Sequence, residues 1–329
     1  MTSSATSLPL LPNPNTPMAH LTPSAAHSYQ VSAYIYLVSV GILTWDWLMA
    51  MPDEYRVLSR GRMSASKIVY VSSRVFTLGF CLCSAILQVA PMRNCQSLIY
   101  AISVLTILAL NTNNILFLFR IRAVYGNSRW VNAFFGFWYL VVLGTSLGVP
   151  FVMHAAHIGP TNYCLEAGVP IWTTSTMFAN MINDTLVCLA ISYRITSKSI
   201  GGEGWRSALR CFFRGDGAPR VAKDLLRNGQ LCYLATIVLS VLQIILTFAT
   251  EYVATLTISV IALENIMTCR VHRSVILSLM ADGEHHHDTP FALSTIISGT
   301  PMTLMEHAFD TKNQFERRSG RAEAMSDMA

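Results

Sequence analysis

Apolar residues run along this chain in seven stretches of helical length: Tyr29–Met51, Ser66–Val89, Ser97–Phe119, Trp130–Val152, Ile171–Tyr193, Gln230–Thr250 and Tyr252–Cys269. Each is close to the roughly 20 residues that cross about 30 Å of hydrocarbon. A helix satisfies its backbone hydrogen bonds internally, so it is the form in which such a stretch enters a bilayer. The pattern predicts an all-α polytopic membrane protein, a seven-transmembrane-helix bundle over residues 29–280. Pro, Ser, Thr and Asn dominate residues 1–28, which read as a disordered outer tail. The apolar patch Leu8–Leu11 is short and lacks the basic start of a cleavable signal peptide. Residues 281–329 read as a disordered cytoplasmic tail.

Charge gives this pattern a direction. Met1–His27 holds no Lys or Arg, and the first connection carries Arg56, Arg60, Arg62 and Lys67. The second has only Arg93, whereas the third holds Arg120, Arg122 and Arg129. The fourth, Met153 to Pro170, has none; the fifth holds Arg194, Lys198, Arg206, Arg210, Arg214, Arg220, Lys223 and Arg227. Arg270 and Arg273 follow the last stretch. Cytoplasmic connections retain Lys and Arg, which places the amino terminus outside and the carboxyl terminus in the cytoplasm. The expected home is the plasma membrane or an endomembrane.

Composition agrees. With 52% hydrophobic and 12% charged residues, the chain is too apolar for an ordinary soluble domain of 329 residues. Most of the net charge of +5 lies beside the membrane, where it meets anionic headgroups. A nucleic-acid partner is therefore excluded; the lipid bilayer is the first partner expected.

Polar side chains within the spans are the candidate chemistry, because an ionisable group at bilayer depth is costly. Asp46 and Arg74 lie at similar depths on neighbouring helices, counted from the connection they share, and are expected to form an ion pair. Asn111 and Asn114, three residues apart, share a face of the third span. Asn180, Asn183 and Asp184 share a face near the middle of the fifth, and Glu264 and Asn265 occupy the seventh. Facing one another, these groups form a polar network that either binds something or only holds helices together, as interhelical hydrogen bonds do. Asp46, Asp184 and Glu264 have only Arg74 as an intramembrane cation. Either some of these carboxyls are protonated, or a small cation shares the site.

Cys95, at the outer start of the third span, and Cys164, in the outer connection after the fourth, face the oxidising side and are candidates for a disulfide. At the cytoplasmic side, Arg120 and Arg122 form a basic collar. With Arg206, Arg210 and Arg214, set among Trp205, Phe212 and Phe213, they make a surface for a cytosolic signalling partner or for headgroups.

The residues Thr44-Trp45-Asp46-Trp47-Leu48, Asp53-Glu54-Tyr55-Arg56, Lys67-Ile68-Val69-Tyr70 and Ser73-Arg74 resemble the amino-terminal signature of a family of fungal, basidiomycete-type, seven-span membrane proteins. The likeness is strongest over residues 36–77; Arg227-Asn228-Gly229 is similar to a later Arg-Asp-Gly of that family. The family's domain has no known function, so the resemblance implies membrane placement and no activity.

Two functions remain in view. One is receptor-like sensing of an unknown small ligand, with output through the basic cytoplasmic connections. The alternative is a small transporter or ion-coupled carrier that uses the polar groups between helices. No nucleophile–base pair and no His-Glu-x-x-His motif is present in the spans, so neither an enzyme nor a cofactor or metal centre is expected.

Overall fold

The computed structural model describes residues 16–59, 64–126, 128–166, 171–199, 220–249 and 255–285. Seven long helices dominate these residues: α1 (Pro23–Ser59), α2 (Ala65–Val89), α3 (Cys95–Tyr125), α4 (Arg129–Leu147), α5 (Ile171–Ser199), α6 (Arg220–Ala249) and α7 (Thr257–His285). Short helical turns stand at Pro17–His20 and Val149–Val152.

Local chemistry accounts for the helix ends. Thr22 Oγ1 accepts the Ala25 amide at 3.4 Å and so caps the start of α1 at Pro23. The Ser64 and Asn94 side chains cap α2 and α3 in the same way. Gly126, in the left-handed conformation, closes α3. The sequence expected α1 over Tyr29–Met51, yet the helix starts earlier and continues through Pro52 to Ser59. Asp53 and Glu54 are therefore helical residues rather than the opening of a loop.

The helices form a ring in chain order, each packed against the next and α7 closing against α1. Within this ring α3 is central and touches α2, α4, α5 and α7. One apolar core joins Leu43 of α1, Phe80 of α2, Ile99 and Ile102 of α3, and Ile258 and Ile261 of α7. A second joins Phe117 and Ile121 of α3 to Phe135 of α4 and Val187 of α5. The outer faces are apolar too: Leu37, Trp45 and Leu48 on α1, Phe137 and Leu140 on α4, and Ile245 and Phe248 on α6 are exposed.

Among the described residues, four stretches are long and apolar enough to cross a membrane: Pro23–Ser59, Ala65–Val89, Cys95–Tyr125 and Arg129–Val152. The helix α6 adds a shorter apolar run, Leu234–Phe248. Polar residues interrupt α5 and α7, at Asn180, Asn183 and Asp184 and at Glu264 and Asn265. Long apolar helices with apolar outer faces mark an integral membrane protein.

Between α4 and α5 the chain forms a two-stranded hairpin, β1 (Ala155–His157) against β2 (Cys164–Glu166), with Ala155 opposite Glu166. Gly159, at φ +56°, turns the hairpin, and a Cβ there would come within 3.0 Å of the His20 ring. Glycine thus lets the Pro17–His20 turn rest on the hairpin.

Candidate functional site

Two polar assemblies, joined by one contact, follow one another along α7. At the end remote from the hairpin, α1, α2 and α7 bring together an ion cluster. Arg74 Nη1 lies 3.0 Å from Asp46 Oδ2, and Arg74 Nε lies 3.3 Å from Glu54 Oε1. The second Asp46 oxygen is 2.8 Å from Arg270 Nε. Tyr70 donates its phenol hydrogen to Glu54 Oε1 at 2.7 Å, and the Trp47 indole donates to Glu54 Oε2 at 2.9 Å. Arg273 approaches Asp53 and Glu54 at 3.9 and 3.8 Å. His272 stacks on Tyr70 and contacts Ser66 Oγ at 3.1 Å. With both Asp46 oxygens on arginines, and both Glu54 oxygens hydrogen-bonded, the buried charges are compensated.

One turn along α7, Asn265 donates to Asn113 Oδ1 of α3 at 3.0 Å and to Ser73 Oγ of α2 at 3.3 Å. This contact joins the ion cluster, through the neighbours Ser73 and Arg74, to a second assembly between α3, α5 and α7. There Asn183 donates to Asn114 Oδ1 at 2.6 Å, and Asn114 donates to Asn180 Oδ1 at 3.0 Å. The Asn180 amide in turn donates to Glu264 Oε2 at 3.1 Å and to Asp184 Oδ2 at 3.4 Å. Three amides thus pass hydrogens in one direction, and two carboxyls receive them.

Asn180 is also the polar end of a cavity of about 400 Å³. Its apolar wall includes Phe80, Ile99, Ile102, Met177, Ile258 and Ile261, and its polar rim includes Tyr36, Thr176, Gln243 and Thr257. Leu165 and Glu166 of β2 line its hairpin end. A disulfide between Cys95 and Cys164, with Cα atoms 5.6 Å apart, ties that strand to the first residue of α3. Gln96 holds the other strand, its side chain contacting the Met153 carbonyl at 3.4 Å and the Ala155 amide at 3.1 Å. Met92 N donates to the Asn162 carbonyl at 2.7 Å. Burial pushes the Glu166 carboxyl up to about 7. Among the described residues, its Oε1 has no hydrogen-bond partner. A small apolar molecule with a few polar groups matches a recess of this size and lining.

The structure therefore brings Asp46 and Arg74 together, as the sequence suggests, and adds Glu54, Arg270 and Tyr70. Cys95 and Cys164 are bridged. Asn114, Asn183, Asp184 and Glu264 join one network through Asn180. Asn265 bonds Asn113 and Ser73 beside it, but Asn111 joins neither. It donates to Ser146 Oγ of α4 at 3.3 Å and to the Ile107 carbonyl at 2.7 Å. A difference of three residues leaves two side chains about 60° apart around a helix axis. On a helix packed on all sides, that is enough to face different neighbours. Asn113 and Asn180, polar residues of the third and fifth spans, take the linking positions.

Arg120 departs further from the expected collar. It is buried, donates to the Thr268 carbonyl and lies over the Phe117 ring at 5.7 Å. Arg122 is exposed. Arg206, Arg210 and Arg214 lie outside the described residues.

Residues 34–79 match a family of unknown function (DUF6533). The matched segment runs through α1 and α2 and holds Asp46, Trp47, Glu54, Tyr70, Ser73 and Arg74, the α1–α2 share of the ion cluster. No curated protein matches the chain.

Proposed function

We propose that the chain is a receptor-like protein that crosses the membrane seven times, with its amino terminus outside and its carboxyl terminus in the cytoplasm. On this reading it belongs wholly to the fungal seven-span family that its α1–α2 segment resembles. It resides in the plasma membrane or an endomembrane. A small, mainly apolar ligand enters the cavity beneath the hairpin, and a cytosolic partner reads the change at Arg122 and at the basic connection containing Arg206, Arg210 and Arg214.

The cavity carries this reading. It is bounded by five helices of the ring and by central α3, so a ligand there touches nearly every helix at once. Its polar end meets the asparagine relay, which ends on Glu264; the next residue, Asn265, bonds Ser73, the neighbour of Arg74 in the ion cluster. A shift of α7 on ligand entry has a bonded route across the bundle. Such a route transmits only if its groups have two arrangements.

The test is a ligand-induced thermal-shift screen on purified protein, repeated on Ile102→Trp, which fills the cavity. A saturable hit lost in that variant, but kept in the outward-facing Phe137→Ala, supports the reading. Hits unaffected by filling the cavity count against it.

A second reading rests on one observation: two buried carboxyls, Asp184 and Glu264, stand directly behind the cavity's polar end. That arrangement suits an ion-coupled carrier. Proteoliposome flux that survives Asp184→Asn together with Glu264→Gln would discard it.

A further inference from the structure

We propose that Asp184 and Glu264 bind a small monovalent cation of sodium type between α5 and α7. The site stands on the geometry of the polar core, whether or not the receptor reading holds.

Asp184 is 4% exposed and Glu264 is 1% exposed. Both accept from the same Asn180 amide nitrogen, which fixes the two carboxyls beside each other. Each retains one buried oxygen, Asp184 Oδ1 and Glu264 Oε1, without a hydrogen-bond partner. Among the described residues, no Lys or Arg forms an ion pair with either. Arg74, Arg270 and Arg273 pair with Asp46, Asp53 and Glu54, and Arg120 donates to the Thr268 carbonyl.

The surrounding amides do not supply the missing positive charge. The hydrogens of Asn183 and Asn114 point along the relay, and those of Asn180 end on Oδ2 and Oε2. Among the described residues no donor reaches Asp184 Oδ1 or Glu264 Oε1 within hydrogen-bond distance. Such oxygens in a low-dielectric core call for a positive charge.

The ligand set sets the class of ion. Ca²⁺ takes 6–8 oxygens, and Mg²⁺ demands near-ideal octahedral geometry and holds its waters tightly. Two free carboxyl oxygens are too few for Ca²⁺. They suit a monovalent ion whose shell water completes.

Access is provided by the cavity, whose wall includes Asn180 itself. Thr176 lies one turn before Asn180 and lines the same cavity. It is 5% exposed, and its hydroxyl has no partner, which gives an entering cation a further oxygen.

The test is the melting temperature of the full-length purified protein in NaCl, KCl and N-methylglucamine chloride at equal ionic strength. The expected result is a saturable upward shift in sodium, absent in glucamine and lost in Asp184→Asn and in Glu264→Gln. A shift equal in all three salts, or one that persists in both variants, overturns the proposal. So does a melting temperature that follows pH and ignores sodium, which would mean that the carboxyls share a proton. Because either variant could fail to fold, equilibrium binding of ²²Na⁺ to the unaltered protein is measured in parallel. About one ion per chain, displaced by unlabelled sodium, is expected; no displaceable sodium, or displacement by equimolar Ca²⁺, overturns the assignment.

Discussion

Arg74 and Asp46 face each other across the α1–α2 pair at 3.0 Å, both withdrawn from the surface. Removing the cation leaves Asp46 with Arg270 alone and weakens the hold on Glu54. Arg74→Met is expected to destabilise the protein by about 3–5 kcal/mol, as when a buried pair loses one partner. Asp46→Asn made in that background is expected to cost less than in the unaltered chain. Thermal unfolding of the four proteins in detergent measures that coupling.

The relay predicts a contrast between two asparagines of α3. Asn114 donates to Asn180 and accepts from Asn183, whereas Asn111 serves only Ser146 and its own helix. Asn114→Ala is expected to cost about 1–3 kcal/mol through the buried groups it strands. Asn111→Ala is expected to cost less and to leave any cavity ligand's affinity unchanged. Paired melting and binding curves decide it.

The Cys95–Cys164 bridge closes a separation of 69 residues. Its loss, by reductant or by replacing both cysteines with Ser, is expected to cost about 2–5 kcal/mol. The hairpin also closes the cavity, so binding in the thermal-shift assay is expected to weaken along with stability. Unaltered melting on reduction, with thiol titration confirming that the bond is broken, contradicts this.

Glu166 supplies a pH dependence. Its folded carboxyl titrates at about 7, against about 4.5 in the open chain, because burial disfavours the charged form. A raised folded value means that protonation favours the fold. Stability from this group is fully present below pH 4.5 and is lost as pH rises toward and through about 7. Glu166→Gln is expected to flatten the melting temperature over that window, and Tyr36→Phe, which alters its electrostatic neighbour, to change it less.

Much of this arrangement was legible in the chain. Asp46 and Arg74 could be paired by counting turns from their shared connection, and the two cysteines by the side they face. Depth is a one-dimensional quantity, so sequence delivers it. Rotation about a helix axis is harder to read when every side is packed, and there the expectations for Asn111 and Arg120 failed. Glu54 was hidden for another reason. Pro52 and two acids look like the start of a loop, but α1 runs on, and the extra turns swing Glu54 onto Tyr70. The residues 34–79 that match a known family encode most of the ion cluster, but its completion by Arg270, Arg273 and His272 depends on α7 closing the ring.

A primary amide has two hydrogens to give, and Asn180 gives both to carboxyls while its oxygen is taken by Asn114. At Asn180 itself the cavity therefore accepts hydrogen bonds without offering any. An ether, ketone or carboxylate arriving there would set lone pair against lone pair. An alcohol or amine would bring the hydrogen that Asn180 has already spent. Before its shape is considered, a visitor is sorted by which side of the bond it can supply.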